Sequence, residues 1–470
     1  MDDQEFKKLA DESLGSLYKK LATASDDADF EVDFNSGALA IEFETPPGKF
    51  IISPNAPVRQ IWVSAHSKSY KLDWDSVENA FVLAATGQSL TELIQEAIAK
   101  QLGEEVSLEM AGVYISYPFC AQKCTYCNFA SGVFPAELER KYLAALCSEI
   151  AAQNWTWQPE TVYLGGGTPS RMELADLDRI LAAIPGRPWR EATIEAAPGG
   201  LNKERVDGWV RAGLNRVSLG VQSFIPRELA RTGRKHTAEI VACEILMLRA
   251  AGLTNINIDL IAGLPGQTAA SWRESLAWVE RLEPPHASVY MLEVDEDSRL
   301  GSEVLLNGKR YGAPDVPSED LTAELYETAV AELGRLGIHR YEISNFARPG
   351  FESLHNLTYW RLEPYIGFGA DAHSFDGSLR FQNVESASEY VRAKSPRIAS
   401  TPANHAEERF FIGLRLTDGI RLDADEWTRF EAPILHFLSE GLLTREGERL
   451  RLTDRGVLLS NEVFAEFITA

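Results

Sequence analysis

Six short apolar segments recur between Gly112 and Leu292: GVYISY, TVYLG, ATIEA, NRVSLG, INIDLI and ASVYML, each separated from the next by a stretch long enough for a helix. Parallel strands need a crossover, usually helical, so this rhythm predicts βα units around a parallel sheet. Six units are too few to close an eight-stranded barrel. The expectation is an open, partial (β/α)6 barrel whose functional loops gather at the C-terminal ends of the strands.

At 470 residues the chain exceeds what one core organises. We read three parts. Residues 1–107 open with a helical pattern (Phe6, Leu9, Leu17, Leu21), continue through FEVDFN, ALAIEFE, GKFIISP and QIWVSA, and close with an amphipathic helix from about Ser89 to Leu102. Turn residues at Asn35-Ser36-Gly37 and Pro46-Pro47-Gly48 favour antiparallel hairpins, hence an α+β sandwich. Residues 108–400 hold the partial barrel. Residues 401–470 return to helical patterning with a hairpin turning at Glu446-Gly447, a small helical or winged appendage, so the whole is multidomain α/β. The net charge of -23 repels nucleic acid and anionic lipid unless a basic patch is concentrated locally, and the sequence has none. The start MDDQEFKKLA has no basic, then apolar, leader, and charge breaks every long apolar run, so the expected location is the cytoplasm with no integral membrane segment.

Directly after the first strand of the array stands Cys120-Ala-Gln-Lys-Cys124-Thr-Tyr-Cys127. Thiolates are soft ligands, and three in one short loop can grip three corners of a cubane 4Fe-4S cluster. The fourth iron then lacks a protein ligand and is open to a small chelator. The alternatives are a partial zinc site, for which neither Cys147 nor Cys243 is an obvious fourth ligand, or chance clustering. Cys147 and Cys243 read as core residues.

From Gly112 to Ile468 the chain resembles the radical S-adenosylmethionine (SAM) superfamily, in which the open iron binds SAM. Leu164-Gly165-Gly166-Gly167-Thr168-Pro169 resembles that family's SAM-contacting turn, with glycines allowing close backbone approach to the ligand. IEAAPGG, NRVSLGVQSF, TGRKHT and NIDLIAGLPGQT follow in the order of the anaerobic coproporphyrinogen oxidase-like subfamily. By that resemblance Glu195, Gln222, Arg234 and Asp259 are SAM-binding polar residues, joined by Tyr114, Tyr126, Gly166, Gly167 and Thr168. Decarboxylating members carry a fourth cysteine two positions after the third, where this chain has Phe129; their chemistry, oxidative decarboxylation of coproporphyrinogen III, stands as the rival reading. His355-Asn356-Leu357-Thr358-Tyr359-Trp360 resembles the HNxxYW motif of the HemW branch, whose members bind heme and deliver it to recipient proteins. Either His355 ligates heme iron, or His355 and Trp360 fix a loop against the barrel; His373 is a second candidate. The chain departs from YIHIPFC at Ser116 and from EANP at Ala197.

Residues 1–110 hold 20 acidic and 9 basic residues, so they carry 11 of the 23 excess negative charges. Carboxylates crowd the start: Asp2, Asp3, Glu5, Asp11, Glu12, Asp26, Asp27, Asp29, Glu31 and Asp33. Uncaged carboxylates bind hard cations weakly and reversibly, and acidic solvated faces are also common without any ligand. The segments DDQEFKKLADE, VDFNSGALAIEFE, QIWVSA and TGQSLTELIQEAI resemble bacterial frataxin along the whole of 1–107. That resemblance implies weak iron binding at Asp2, Asp3, Asp11, Asp26, Asp27, Asp29, Glu31 and Asp33, and partners in the cysteine desulfurase and iron-sulfur scaffold machinery. Trp62 is either an exposed partner contact or a core residue. For the whole chain the expected partners also include heme recipients and an electron donor, with a homodimer left open; an iron-sulfur assembly factor without heme is a third reading.

Overall fold

In the computed structural model, which describes residues 3–468 apart from 26, 27, 36, 76–79, 104–110, 156, 158, 423 and 448, the chain divides into two compact units, Met1–Met110 and Ala111–Ala470.

The first unit is built from one face of each element. Helix α1 (Asp3–Ala24) buries Phe6, Ala10, Leu14, Leu17 and Leu21, a stripe at helical spacing. The strands β1 (Phe30–Asn35), β2 (Ala38–Phe43), β3 (Gly48–Asn55), β4 (Gln60–Ala65), β5 (Lys68–Asp75), β6 (Ala80–Leu83) and β7 (Gln88–Ser89) form an antiparallel meander in chain order. Strict alternation on β4 sends Ile61, Val63 and Ala65 inward. Trp62 stands half-buried on the opposite face, with the Lys71 ammonium 4.9 Å from its ring centroid; it is not a core residue. Helix α2 (Leu90–Leu102) starts at a capping box: the Glu92 N–H donates to Ser89 Oγ (3.3 Å) and the Ser89 N–H to Glu92 Oε2 (2.7 Å).

In the second unit the six expected strands appear as β8 (Gly112–Tyr117), β9 (Thr161–Gly166), β10 (Glu191–Ala196), β11 (Arg216–Gln222), β12 (Asn255–Ala262) and β13 (His286–Met291), parallel and adjacent in chain order. Outward positions such as Val113, Ile115, Val162, Leu164, Ile194, Val217, Leu219, Ile256, Ile258 and Val289 join the core with the surrounding helices. The other face of the same strands carries Thr161, Tyr163, Glu191, Thr193, Glu195, Arg216, Ser218, Asn257, Asp259, His286 and Ser288. This barrel therefore has a polar lumen rather than the branched aliphatic layers that fill a closed one.

The sheet runs further than the sequence rhythm indicates. Beyond β13 lie β15 (Asn345–Ala347) and β14 (His339–Arg340); beyond β8 lies β16 (Tyr365–Phe368), parallel to it, then antiparallel β17 (His373–Phe375), β18 (Leu379–Asn383) and β19 (Arg397–Pro402). All but β19 are five residues or fewer, too short to show a period, and β19 is exposed throughout. Near the C-terminus, β21 (Leu443–Glu446) and β22 (Arg449–Leu452) form the hairpin at Glu446-Gly447, with Gly447 at φ 62° and β20 (Ile420–Arg421) beside β22. Phe410, Phe430, Phe437 and Phe467 cluster behind it, and they are continuous with the barrel's core. Among the described residues no helix is long and apolar enough to cross a membrane.

Cys147, on the helix Ala136–Ala152, is half-buried against the core. Cys243 is exposed, contrary to expectation: the helix Ala238–Ala250 buries Val241, Glu244, Ile245 and Leu248, which leaves residue 243 on the outer side.

Candidate functional site

The cysteine loop leaves the C-terminal end of β8 and is pinned at both ends and in the middle. The Cys120 N–H donates to the Gly132 carbonyl (2.8 Å) and the Gly132 N–H to the Pro118 carbonyl (2.9 Å). Between them, the Thr125 N–H donates to the Thr232 carbonyl (3.3 Å), and the Thr125 carbonyl accepts from the Leu300 N–H (2.8 Å). Cys120, Cys124 and Cys127 are free thiols, each half-buried. Burial pushes the Cys120 thiol up. Phe129, where decarboxylating relatives have a cysteine, is 66% exposed, and the neighbouring Asn128 Nδ2 donates to Asp295 Oδ2 at 2.9 Å.

The glycine turn after β9 serves this loop. A Cβ on Gly167 would stand 2.8 Å from the backbone N and O of Phe119, and one on Gly166, at φ 104°, 3.3 Å from the backbone of Tyr117. In this structure the close approach these glycines permit is to the chain entering the cysteine loop. The Gly167 N–H donates to the Tyr117 carbonyl (2.7 Å) and the Thr168 N–H to the Phe119 carbonyl (3.0 Å). Ser116 sits buried on β8, its carbonyl accepting from Tyr142 OH at 2.8 Å, and the Ala197 N–H donates to Ser170 Oγ at 3.4 Å.

Of the remaining SAM candidates, Glu195 and Gln222 lie at the ends of β10 and β11, whereas Asp259 and Tyr114 stand within β12 and β8. Arg234 Nε and Nη2 donate to Tyr126 OH (3.2 and 3.1 Å) and Nη1 to the Gly220 carbonyl (2.7 Å). Burial opposes the Arg234 charge, but Tyr126 and Cys124 outweigh it and hold the guanidinium's pKa up. Gln222 ends β11 in the left-handed region (φ 69°), at a register shift against β12. Such strain clusters where a side chain must be aimed. Its Oε1 is buried and has no hydrogen-bond partner. Glu195 Oε1 accepts from Tyr163 OH (2.9 Å); burial and then the neighbouring Asp259 push its carboxyl up to about 7. Asp259 accepts from Asn257 Nδ2 (2.7 Å) and Ser218 Oγ (3.2 Å), and burial raises its pKa too. Tyr114 stacks on Tyr163 (6.2 Å, 23°) across Gly165, where a Cβ would meet both rings at 3.0 Å.

His355 lies at the opposite end of the lumen. It is fully buried in the short helix Leu354–Trp360, with Nδ1 2.8 Å from Thr161 Oγ1, Nε2 2.7 Å from Tyr359 OH and its ring stacked on Tyr163. Burial, aided by Arg216, pulls its pKa down to about 3, so the ring is neutral. Both nitrogens are engaged, and iron ligation requires one to be released; as placed, His355 fixes the motif against the barrel. Glu191 holds the helix start, accepting from Ser353 Oγ (3.1 Å), the Leu354 N–H (2.9 Å) and the His355 N–H (3.1 Å). Arg415 covers the Trp360 ring at 4.3 Å. His373 is exposed on β17. Sequence reasoning passed over Glu191, Arg216, Asn257 and His286, although a polar residue at every second strand position marked them.

In the first unit Glu5, Asp11, Asp29, Glu31 and Asp33 are exposed on α1, on β1 and just before it. Asp2, Asp26, Asp27 and the side chains of Asp3 and Glu12 lie outside the described residues. Among the described residues no three His, Cys, Asp or Glu side chains converge on one ion. A single tetrahedral ion with Zn–S bonds of about 2.3 Å needs its sulfurs within roughly 3.8 Å of one another. A cubane places each sulfur at its own iron corner and spaces them wider. Three free thiols on one pinned loop, beside a buried acceptor with no donor, fit a cluster with an adjoining polar ligand better than a lone zinc.

Comparison with known proteins agrees. The Radical SAM superfamily pattern matches residues 114–279, the Frataxin-like domain residues 1–104 and the HemN C-terminal domain residues 400–459. Heme chaperone HemW of Bacillus subtilis (strain 168) is 35% identical over 381 residues, covering 76% of this chain and 99% of that protein. Heme chaperone HemW of Lactococcus lactis subsp. lactis (strain IL1403) is 34% identical over 373 residues, covering 76% and 96%. The solved coproporphyrinogen III oxidase (HemN) from Escherichia coli, a radical SAM enzyme, shares the fold at TM-score 0.66 and 22% identity, over 77% of this chain and 90% of that one. A radical SAM domain implies a 4Fe-4S cluster and SAM. The chain belongs to the HemW family, and it carries a frataxin-like domain ahead of its radical SAM domain.

Proposed function

We propose that this chain is a heme chaperone whose partial barrel holds a 4Fe-4S cluster on Cys120, Cys124 and Cys127, with SAM beside it. The acidic N-terminal unit supplies iron for that cluster or recruits the machinery that assembles it. The observation that carries the reading is the pinned loop of three free thiols at the strand ends, in a chain whose relatives are named heme chaperones. Arg234 and Gln222 present a cation and an unpartnered acceptor for the amino acid end of SAM, while Glu195 and Asp259 suit ribose hydroxyls. A cluster with SAM supplies one-electron cleavage of a carbon-sulfur bond. Since both nitrogens of His355 are taken, the exposed ring of His373 is the histidine this reading assigns to heme.

The test is anaerobic reconstitution of the full chain. Iron with labile sulfide, an electron paramagnetic resonance signal altered by SAM, and a Soret band on heme titration that weakens in His373→Ala are expected. Propionate groups of added coproporphyrinogen III should stay intact. Zinc in place of iron and sulfide, or a signal indifferent to SAM, overturns the reading. For the N-terminal unit, neutralising Glu5, Asp11, Asp29, Glu31 and Asp33 together as amides in the full chain should slow cluster loading in cells; unchanged loading removes that role.

A further inference from the structure

The helix Leu354–Trp360 sits at the N-terminal ends of the barrel strands: His355 touches Thr161, the first residue of β9; its backbone is held by Glu191, the first of β10; and a Cβ on Gly112, the first of β8, would meet its ring at 3.1 Å. From this helix two separate routes cross the lumen. One runs from the His355 ring, stacked on Tyr163 at 5.2 Å and 22°, through Tyr163 OH to Glu195 Oε1 at 2.9 Å. The other is a chain of hydrogen bonds in a single direction. The Ser353 N–H donates to Tyr341 OH (3.1 Å), whose hydroxyl faces His286 Nε2 (2.9 Å). His286 Nδ1 faces Asn257 Oδ1 (2.7 Å), and Asn257 Nδ2 donates to Asp259 Oδ1 (2.7 Å). Asn257 Oδ1 can only accept, which puts the His286 proton on Nδ1 and leaves Nε2 to accept from Tyr341.

Both routes end on the carboxylates that face the cofactor site. Glu195 and Asp259 are buried and repel each other, so their ionised, aimed state depends on fixed donors. The Tyr163 ring is held between His355 and Tyr114, which fixes the direction of the hydroxyl that, with the Gly166 N–H, holds Glu195. We propose that the motif helix, with its N-cap Ser353, is the positioning element for the two SAM-facing carboxylates, acting on Glu195 through His355 and Tyr163 and on Asp259 through Tyr341, His286 and Asn257. This rests on reading Glu195 and Asp259 as SAM contacts. His355 and Tyr163 are then positioning residues, and the HNxxYW motif sets cofactor affinity from the far end of the barrel.

The experiment uses the full chain, anaerobically reconstituted, with SAM affinity read from the SAM-dependent change in the cluster's paramagnetic signal across pH. Tyr163→Phe removes one hydroxyl and keeps both stacks; His355→Phe keeps the stack and removes two hydrogen bonds; Glu195→Gln checks the underlying reading. Loss of a hydrogen bond to a charged group corresponds to about 10- to 100-fold in affinity, and we expect Tyr163→Phe to weaken SAM by that order at unchanged iron and sulfide content; His355→Phe, which keeps the stack on Tyr163 and loses only the bonds to Thr161 and Tyr359, should weaken it by a smaller factor. His355→Gln, which gives up the ring stacked on Tyr163, should weaken SAM more than His355→Phe does. Glu195 is faced by Tyr114, Tyr163, Arg216, Asp259, Tyr290 and Tyr359 and is also held by the Gly166 backbone N–H; Tyr163 is the side chain that donates to it, so Tyr163→Phe should also move the pH midpoint of SAM binding upward. Unchanged affinity and midpoint in Tyr163→Phe overturns the proposal, and that variant decides the matter where His355→Phe fails to fold. A native chain that ignores SAM, or a Glu195→Gln chain that binds it normally, overturns the SAM reading instead.

Discussion

The two ends of the barrel lumen are equally polar and behave differently. At the N-terminal end, Glu191 accepts three hydrogen bonds, and His286 and His355 have both ring nitrogens engaged. Exceptions stand there too: Arg216 Nε makes no hydrogen bond but lies 3.9 Å from Glu191, and Trp360 Nε1 and Asn255 Oδ1 are buried without a partner. At the C-terminal end, Gln222 Oε1 has no donor, the three loop cysteines form no disulfide, and Phe129 stands exposed on the loop that carries them. Neither polarity nor a single unpartnered group therefore locates a site; an unpartnered acceptor at the strand end that carries a pinned loop of three cysteines does. A buried group without a partner costs stability, and the cost is tolerated where a ligand supplies the partner.

The largest effect should break the upper end outright. Replacing any one of Cys120, Cys124 or Cys127 with serine is expected to bring iron and labile sulfide down to background, measured on anaerobically purified protein, with folding intact because none of the three is a core residue. The lower end should fail differently. Glu191→Ala removes the acceptor of the helix start and leaves the Arg216 cation, 2% exposed, without its counter-charge. Breaking a buried pair in this way costs about 3–5 kcal/mol, which urea unfolding resolves, while the cysteine loop loses nothing directly. A Glu191→Ala chain as stable as the native one would erase the distinction between the ends.

The contrast was only half legible in the sequence. Strand positions, their parallel order and the loop of three cysteines follow from patterns of period 2 and fixed spacing. The same alternation placed Thr161, Tyr163, Glu191, Arg216, Asn257 and His286 on one face, yet no motif announces them, since each has a partner on another element, as His286 has Asn257, 29 residues away along the chain. His355 shows the reverse. Its motif is conspicuous, but whether a histidine meets a ligand or a threonine hydroxyl is settled by burial, which a local pattern does not encode. Strands β14–β18 escaped notice because each is five residues or fewer, and β19 because all six of its residues are exposed and show no alternation.

A smaller perturbation tests whether the two ends share a frame. Gly167→Ala would put a methyl group 2.8 Å from the Phe119 backbone, so the chain entering the cysteine loop must shift. Overpacking of this kind costs about 1–3 kcal/mol. Cluster loading should fall while the His355 end is untouched; the intensity of the reconstituted cluster's absorption, compared with Gly167→Ser and the native chain, reads this.

The smallest effect is the most discriminating, because the two ends respond to pH with opposite sign. Burial and Asp259 push Glu195 from an ordinary 4.5 up to about 7, so over that window the folded chain holds a proton the unfolded chain has lost, and stability falls as pH rises. Burial and Arg216 pull His355 from 6.5 down to about 3, so between those values the unfolded chain binds a proton the folded one does not, and stability rises with pH. Between pH 4.5 and 6.5 the two slopes oppose, each at most about 1.4 kcal/mol per pH unit for one proton. His286, pulled down by the same causes, adds to the rising side. Glu195→Gln deletes the falling slope, so stability of the cofactor-free variant should climb more steeply with pH than that of the native chain; His355→Phe should do the reverse. Urea unfolding at successive pH values separates the outcomes, and parallel curves for the native chain and both variants would mean that neither group titrates through folding and that the lumen's two ends are electrostatically alike.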